Sequence, residues 1–495
     1  MENGKHQMKV CQLYLVVGFL IFLSQLLTSY AERYLISSQS DFDRLKTNTF
    51  QPKDVILFKK GVRFTGMFSP EGKGISGSPI LIDVYGQGHQ PRIDAKGKER
   101  AGLLLRNPSF WEVNGLEITN SNGTDDDQGE LFGIYVLADK KEGIYEHVYI
   151  NNCYIHNVNG KVGGKKRGGI HVHIKKLKKS IFHDLRITNN RICHVGGVGI
   201  GNSSSCGKIE FRKADEIGHY LWTDVYVADN YVNFTGRNNI IARVSKDAIY
   251  ERNTLANSSR YSTGHSIFCF NTDGIKIQFN EAYGNVGEGG IDRGGFDADY
   301  NCVNTFIQYN YSHDNLWFCG IMKKRNRNVV IRYNLSQNDK EGIYFYGFEN
   351  EKQAKNIHIY NNTHYVKKGL KVSVFAEGRT PLNSRFENNI FFFEEQGKWG
   401  NRPEEINTVF RNNLYFNLEP HGSDSSPINI DPEFINAGHA GFNIDLDTMK
   451  ELNGYIRKLN TKPSINNGGV EIINNGGKNL LKSEIKAGHQ GIGAF

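Results

Sequence analysis

The sequence is poor in the residues and patterns that mark most fold classes. Proline is scarce, with 11 residues against 54 glycines, and no long stretch repeats with the 3.6-residue period of a helix. The 7 cysteines include no CxxC pair, which argues against a zinc module. No apolar run after residue 31 is long enough to cross a membrane. What remains is a β-rich chain with many glycine and asparagine turns.

The first 31 residues have the layout of a secretory signal. Lys5, His6 and Lys9 precede the apolar run "LYLVVGFLIFLSQLL", and the small-residue exit "SYA" ends before Glu32. We therefore predict a signal peptide over residues 1–31 and one exported domain over residues 32–495, located in the periplasm or outside the cell. An uncleaved membrane anchor is the alternative, because the apolar run is long for a signal.

The charge balance indicates the class of partner. A formal net charge of +8 favours a polyanion, for which acidic polysaccharide, nucleic acid and a membrane surface are the candidates, although a lysine excess also serves solubility. The export signal and the absence of a nucleic-acid module argue against DNA or RNA. We predict an acidic polysaccharide or oligosaccharide as substrate, no membrane association after signal removal, and a monomer.

Ten short alternating segments that end in asparagine follow one another along the chain. They include "VYINNCYIHN", "LRITNNRICH", "TFIQYNYSHD" and "TVFRNNLYFN", and their asparagines recur at intervals of 23 to 40 residues. The aligned positions are Asn152, Asn190, Asn230, Asn253, Asn280, Asn310, Asn334, Asn362, Asn389 and Asn413. Such a period is typical of a solenoid, and an asparagine amide can bond to its counterpart on the coils above and below.

In these repeats the chain resembles the right-handed parallel β-helix proteins, the fold of many polysaccharide lyases and some glycoside hydrolases. The opening "DVILFKKGVRFTGMF" and the ending "DPEFINAG…IGAF" resemble the first coils and the closing segment of that superfamily. The resemblance implies an all-β, right-handed parallel β-helix with an asparagine ladder. It also implies a carbohydrate-active enzyme and favours elimination, because β-helix lyases commonly use a lysine or arginine base; the ulvan oligosaccharide dehydratases are a variant that the chain would then resemble.

A second set of short strands predicts one outward face of the solenoid. If the isoleucine that starts each strand faces the core, the residues one and three positions later face outward. This outward set is His171, His173, Ile241, Arg243, Phe268, Phe270, Asp292, Gly294, Met322, Lys324, Tyr344 and Tyr346. Aromatic rings beside arginine, lysine and aspartate are typical of a sugar-binding groove.

The first functional hypothesis is β-elimination at a uronic acid, on a glycan with or without sulfate. Arg243 would neutralise the sugar carboxylate, Lys324 or His171 would remove the C5 proton, and Tyr344 would protonate the leaving oxygen. We predict that the substrate also contacts His173, Arg293 and Tyr346. The predicted enzyme is therefore a carbon–oxygen lyase, or a dehydratase if the leaving group is a hydroxyl.

Two alternatives stay open. Asp292 together with Asp297 or Asp299 would form the carboxyl pair of a glycoside hydrolase. A non-catalytic carbohydrate-binding protein would need only the aromatic and charged face. Asp297 and Asp299, two residues apart, are also the candidates for a calcium site, although the cofactor stays unknown because such a site needs six to eight oxygens. Inserted loops that carry Glu210, Lys213 and His219 are expected to form a wall of the groove.

Overall fold

The computed structural model describes residues 31–124, 129–159, 165–177, 179–205, 220–287, 290–347, 354–376, 381–400, 406–456, 468–486, 488 and 491–495. All strand pairings within the three sheets are parallel, and each coil of the chain contributes to three faces in turn. This arrangement is the predicted right-handed parallel β-helix. The first and second faces form one 23-stranded sheet, because the long strand β26 (Gly294–Gln308) runs around the corner between them.

The first face carries the site discussed below. Its strands are β8 (Ala101–Arg106), β11 (Phe132–Ala138), β14 (Gly168–Ile174), β17 (Val198–Ser204), β20 (Ile240–Arg243), β23 (Ile267–Asp273), the first half of β26 (Gly294–Gln308), β28 (Trp317–Met322), β31 (Gly342–Gly347) and β34 (Ser373–Phe375).

The second face runs along the whole solenoid. Its strands are β1 (Arg33–Ile36), β3 (Val55–Lys59), β6 (Ile80–Tyr85), β9 (Trp111–Asn114), β12 (Ile144–Asn151), β15 (Ile181–Thr188), β18 (Thr223–Ala228), β21 (Ile249–Glu251), β24 (Lys276–Gln278), the second half of β26, β29 (Asn326–Arg332), β32 (Ala354–Tyr360), β35 (Ser384–Glu387) and β37 (Val409–Arg411).

The third face is a separate 14-stranded sheet. Its strands are β4 (Arg63–Thr65), β7 (Arg92–Asp94), β10 (Glu117–Asn120), β13 (Tyr154–Val158), β16 (Arg191–Val195), β19 (Tyr231–Thr235), β22 (Thr254–Ala256), β25 (Glu281–Tyr283), β27 (Tyr311–His313), β30 (Leu335–Gln337), β33 (Thr363–Val366), β36 (Ile390–Phe393), β38 (Leu414–Phe416) and β39 (Ile428–Asn429). A small pair, β2 (Thr49–Phe50) and β5 (Glu71–Gly72), lies near the N-terminal end.

The asparagine ladder joins the coils at the corner between the second and third faces. From Asn190 to Asn413 each side-chain amide donates to the carbonyl oxygen of the next asparagine at 2.9–3.0 Å, and Asp424 accepts the last bond. The prediction was wrong at its first member. Cys153 occupies the ladder position and Asn152 the preceding left-handed residue (φ 53°), because Asn151 pairs with Thr188.

Both ends of the solenoid are covered. Helix α1 (Gln39–Leu45) begins with a capping box of Ser38 and Asp41 and buries Phe42, whose ring stacks on Phe64 at 5.5 Å. A C-terminal segment, which includes a 3₁₀ helix (Lys450–Tyr455), packs on the third face from β25 onward. The carboxylate of Glu281 accepts backbone N–H groups of this segment at 2.7 and 3.2 Å.

The cysteines behave as small apolar residues. Cys153, Cys193, Cys269, Cys302 and Cys319 are buried and form no disulfide, whereas Cys11 and Cys206 lie outside the described residues. Within the described ranges no helix is long and apolar enough to span a membrane. Residues 1–30, which hold most of the predicted signal peptide, also lie outside these ranges.

Candidate active site

The strand register defines two columns of outward side chains on the first face. One column contains Tyr135, His171, Gly201, Ile241, Phe268, Asp297, Gly320 and Phe345. The other, two residues further along each strand, contains His173, Ser203, Arg243 and Phe270. The predicted outward orientation of His171, His173 and Arg243 is therefore confirmed. Within each column, residues on neighbouring coils lie about 4.8 Å apart.

The two histidines are covered by their neighbours. His171 is 2% exposed, contacts Ser203 Oγ through Nε2 at 3.0 Å and stacks on Phe132. His173 Nδ1 lies 2.8 Å from the Tyr135 hydroxyl. Burial and neighbouring cationic groups lower the pKa of His171 well below its usual value. His171 is therefore a neutral, enclosed ring rather than an accessible base.

The predicted orientation of both tyrosines was wrong. Tyr344 and Tyr346 are 0% and 1% exposed and point into the core, where their hydroxyls meet His364 Nε2 and Ser384 Oγ, each at 2.9 Å. Tyr344 pairs with Cys319, which belongs to the inward column, so Phe345 takes the outward position. The prediction took Ile343 as the core-facing residue of this coil, which shifted the predicted register by one residue.

Three other predicted site residues do not lie on the strands of the first face: Lys324, Arg293 and Asp292. Strand β28 ends at Met322, and Lys324 is exposed in the following turn, whose first residue, Lys323, reaches the site instead. Arg293 donates from Nη1 to the carbonyl oxygen of Gly287 at 2.6 Å and so braces its own loop. Asp292 precedes the strand and is half-buried, because β26 begins only at Gly294.

Asp297 and His265 form the buried centre of the site. Each side chain is 3% exposed, and His265 Nε2 lies 3.5 Å from Asp297 Oδ2. His265 Nδ1 accepts the backbone N–H of Gly294 at 3.0 Å, so the proton of a neutral ring sits on Nε2, toward the carboxyl. Burial, together with the charges of Asp299 and Asp292, raises the pKa of Asp297 well above its usual value. These surroundings therefore favour the protonated form of Asp297 over the carboxylate.

Asp299 has a different environment two residues away. A β-bulge after Ala298 leaves this residue on the outward side, where Lys323 Nζ lies 2.9 Å from Oδ1 and 3.1 Å from Oδ2. Burial lowers the pKa of Lys323, but the charge and hydrogen bond of Asp299 outweigh it and raise that pKa overall. Lys323 thus stays protonated and holds a positive charge against both carboxyl oxygens of Asp299.

A small cavity joins these groups. It has a volume of about 20 Å³, enough for one water molecule, and Asp292, Asp297, Asp299, Lys165 and Lys323 are among its lining residues. The Lys165 ammonium lies over the Phe268 ring at 4.2 Å. Burial and the nearby Arg243 and Arg237 lower the pKa of Lys165 to about 8. The cavity therefore holds an acid, a paired carboxylate and a cation that deprotonates easily.

The residues do not fit the calcium ion considered from the sequence. Lys323 Nζ contacts both oxygens of Asp299, and Asp297 faces the N–H side of His265, so both carboxyls already face hydrogen-bond donors rather than an open ligand position. Within the part of the chain that the structure describes, no group of three His, Cys, Asp or Glu side chains is arranged to hold a metal.

A second cavity of about 370 Å³ adjoins the site on the N-terminal side. Its lining is basic and hydroxylic and includes Arg243, His173, Lys175, Lys176, Ser203 and Phe270. Strand β23, with Phe268 and Phe270, separates it from Asp297 and Asp299 on β26. The loop residues Glu210, Lys213 and His219 lie outside the described residues, so their predicted place in the groove stays a prediction.

Sequence reasoning missed His265, Lys323 and Lys165, and it considered Asp297 only for the alternative hydrolase pair and for calcium. The alternation in "GGFDADY" contains the signal: with Phe296 as the inward residue, Asp297 faces outward. The segment "GHSIFCF" likewise places His265 immediately before a strand of the same face. No local pattern distinguishes Lys323 from Lys324, because the left-handed turn at Lys323 (φ 56°) decides which ammonium points inward.

Comparisons with known proteins agree with the fold. No model of a known protein family matches the chain. The sequence is 26% identical over 477 residues to a lacto-N-biosidase of Bifidobacterium longum subsp. longum, covering 77% of this chain and 29% of the relative. This chain thus matches less than a third of the length of that curated relative.

Two solved structures have the same architecture. The crystal structure of a GH136 lacto-N-biosidase from Eubacterium ramulus superposes with a TM-score of 0.57 at 20% identity, covering 76% of this chain and 67% of that one. A mannuronic acid specific polysaccharide family 6 lyase from human gut microbiota gives a TM-score of 0.51 at 14% identity, covering 81% and 92%. Both likenesses concern the fold alone.

The comparison corrects the predicted enzyme class. The sequence relative is named a lacto-N-biosidase, as is the structure with the higher of these two TM-scores, and such an enzyme is a glycosidase rather than a lyase. The prediction of a carbon–oxygen lyase, with its dehydratase variant, was therefore wrong. The geometry agrees with this correction, because Lys324 and Tyr344, assigned as base and acid, do not share a cavity with Arg243.

Proposed function

We propose that this protein hydrolyses glycosidic bonds, with Asp297 as general acid and Asp299 as the ionised carboxylate. One observation carries the proposal. Two carboxyls on one short stretch of strand have opposite environments, since Asp297 is buried against His265 and Asp299 is paired with Lys323. Pairs of titratable groups whose environments push their protonation apart supply the acid and the base of such reactions.

The roles follow from the two environments, a buried carboxyl and one that faces an ammonium group. Asp297 gives its proton to the glycosidic oxygen as the bond to the anomeric carbon breaks. Asp299 either takes a proton from the attacking water or attacks the anomeric carbon itself, in which case water hydrolyses the glycosyl intermediate. Asp292, half-exposed at the same cavity, contacts the sugar. His265, held by the Gly294 N–H, lies 3.5 Å from Asp297 and positions its carboxyl.

The substrate class is part of the same proposal. The named relative makes a lacto-N-biose unit at the non-reducing end the first substrate to test. The net charge of +8 extends the proposal to glycans that carry acidic groups, which the basic cavity around Arg243 would accommodate. The apolar N-terminal stretch supports export, and we propose that the protein acts as a secreted or periplasmic monomer.

The leaving group provides the test. Asp297→Asn should lower kcat about 10³-fold on an oligosaccharide, whose sugar leaving group needs a proton, but much less on p-nitrophenyl β-lacto-N-bioside, whose leaving group does not. Asp299→Asn should inactivate toward both. Asp447→Asn, a matched control whose side chain is 83% exposed, should change neither.

Proton NMR of the first product formed then reports the anomeric configuration and so the role of Asp299. The proposal fails if a panel of neutral and acidic oligosaccharides yields no new reducing ends. It also fails if both active-site variants hydrolyse the panel at the wild-type rate.

A further inference from the structure

The basic cavity beside the acid pair has an unusual charge balance. Among its described lining residues are four cationic side chains, Lys166, Lys175, Lys176 and Arg243, together with His173 and three serines, and no carboxylate. A neutral occupant is disfavoured, because it would leave the half-buried Arg243 guanidinium without a counter-charge among the described lining residues.

Arg243 is fixed in place by contacts that leave its charge uncompensated. Its backbone N–H donates to Asn202 Oδ1 at 2.8 Å, Asn202 Nδ2 donates to its carbonyl oxygen at 2.6 Å, and Nη1 donates to the Asn202 carbonyl at 3.3 Å. The guanidinium carbon lies 5.8 and 5.6 Å from the ring centres of Phe268 and Phe270.

The charge of Arg243 has no close counter-charge. In the described part of the chain its buried Nε has no hydrogen-bond partner, and its side chain forms no ion pair with a carboxylate. Asp299 acts on it only at long range and is already paired with Lys323.

We propose that this cavity is a subsite that binds an anionic substituent of the glycan, a sulfate ester or a uronate carboxylate. A held guanidinium presents parallel N–H groups to two oxyanion oxygens, and Lys175 and Lys176 at the rim add charge without fixed geometry. The Phe270 ring offers an apolar surface for the sugar that carries the anion.

The position of the cavity sets which sugar is recognised. Arg243 lies on β20 and Asp297 on β26, two strands away across β23, which corresponds to about 10 Å along the solenoid axis. The anion is therefore on the unit next to the cleaved bond rather than at the bond itself. This inference rests on the proposed function, because the anchored unit belongs to the glycan that Asp297 and Asp299 cleave.

Binding without turnover tests the subsite. Asp297→Asn, which keeps the neutral charge of the protonated acid, would be titrated by calorimetry with matched neutral, 6-O-sulfated and uronate-containing oligosaccharides. We expect the acidic members to bind at least tenfold more tightly than the neutral one. Adding Arg243→Gln, or the exposed pair Lys175→Gln and Lys176→Gln, should remove that preference and leave neutral binding unchanged.

Controls separate this inference from the proposed function. Arg191→Gln makes the same charge change on the third face, where its guanidinium lies between Tyr154 and Tyr231, and should have no effect on the preference. Tight binding of only sulfates, or of only uronates, supports the subsite and identifies the anion. Equal binding of neutral and acidic oligosaccharides overturns it, even if the wild type hydrolyses glycans. Arg243-dependent binding without hydrolysis supports the subsite and refutes the proposed function.

Discussion

His265 Nε2 faces Asp297 Oδ2 at 3.5 Å, and each side chain is only 3% exposed. The histidine comes from the residues just before β23 and the aspartate from β26, on neighbouring coils of one face. Because His265 Nδ1 is occupied by the backbone N–H of Gly294, the ring meets the carboxyl with its protonated nitrogen. The contact positions the Asp297 carboxyl, whereas burial and the neighbouring Asp299 and Asp292, rather than any sequence motif, raise its pKa.

The buried carboxyl predicts a pH dependence of stability. Burial raises the pKa of Asp297 above its usual 3.8, so the folded protein holds a proton that the unfolded chain releases. The stabilisation is complete below pH 3.8 and is lost as the pH rises through the folded-state pKa, with a slope of up to about 1.4 kcal/mol per pH unit. Asp297→Asn should abolish this slope in urea unfolding between pH 4 and 8, whereas Asp447→Asn keeps it. Identical slopes in wild type and Asp297→Asn would contradict the prediction.

Two adjacent lysines provide a matched pair. Lys323→Met removes the ammonium group that contacts both oxygens of Asp299, so the carboxyl loses its counter-charge and its fixed position, and kcat/KM on the best glycan should fall about 10²-fold. Lys324→Met changes an exposed neighbour and should leave kcat/KM unchanged. The measurement is steady-state kinetics of the wild type and both variants on the same glycan. Equal effects of the two changes would mean that Asp299 does not need Lys323.

The missing side chain at Gly320 leaves the space that the Asp297 carboxyl occupies. A Cβ atom at this position would lie 2.9 Å from Asp297 Oδ1 and 3.1 Å from Met322 Cε. Gly320→Ala should displace the carboxyl and lower kcat about tenfold to 10²-fold, with a small change in Tm, because only side-chain ends must move. Gly422→Ala, where an added Cβ meets nothing within 4 Å, is the control. Unchanged kcat in Gly320→Ala would argue against a catalytic position for Asp297.

The buried asparagine ladder should contribute most of the stability of the corner between the second and third faces. Asn310 donates to Asn334 and the Ile277 carbonyl and accepts two bonds from Asn280, all buried. Asn310→Ala leaves several of these groups unpaired and should cost about 2–5 kcal/mol in denaturant unfolding. Asn304 also belongs to a row of stacked asparagines but is exposed and left-handed (φ 50°), so Asn304→Gly should cost less than about 1 kcal/mol. Similar losses of unfolding free energy in both variants would mean that the buried ladder contributes no more than an exposed row of asparagines.

The sequence alone predicted the solenoid, its register-setting asparagines and the presence of a charged face. These features repeat coil after coil, so each weak local signal is confirmed by its neighbours, and a single slip such as Asn152 for Cys153 does not change the fold. The outward positions of His171, His173 and Arg243 followed from simple alternation because their strands keep an isoleucine inside.

Only the tertiary structure decided which side chains form the site. Where a strand begins late, as at Gly294, or ends before a left-handed residue, as at Lys323, a shift of one residue exchanges the inside and outside of the sheet. Because of such shifts, Tyr344 points into the core, and Lys323 instead of Lys324 reaches the site. The protonation of Asp297 likewise depends on burial and on charges from other coils, since long-range packing and electrostatics are not encoded in local alternation.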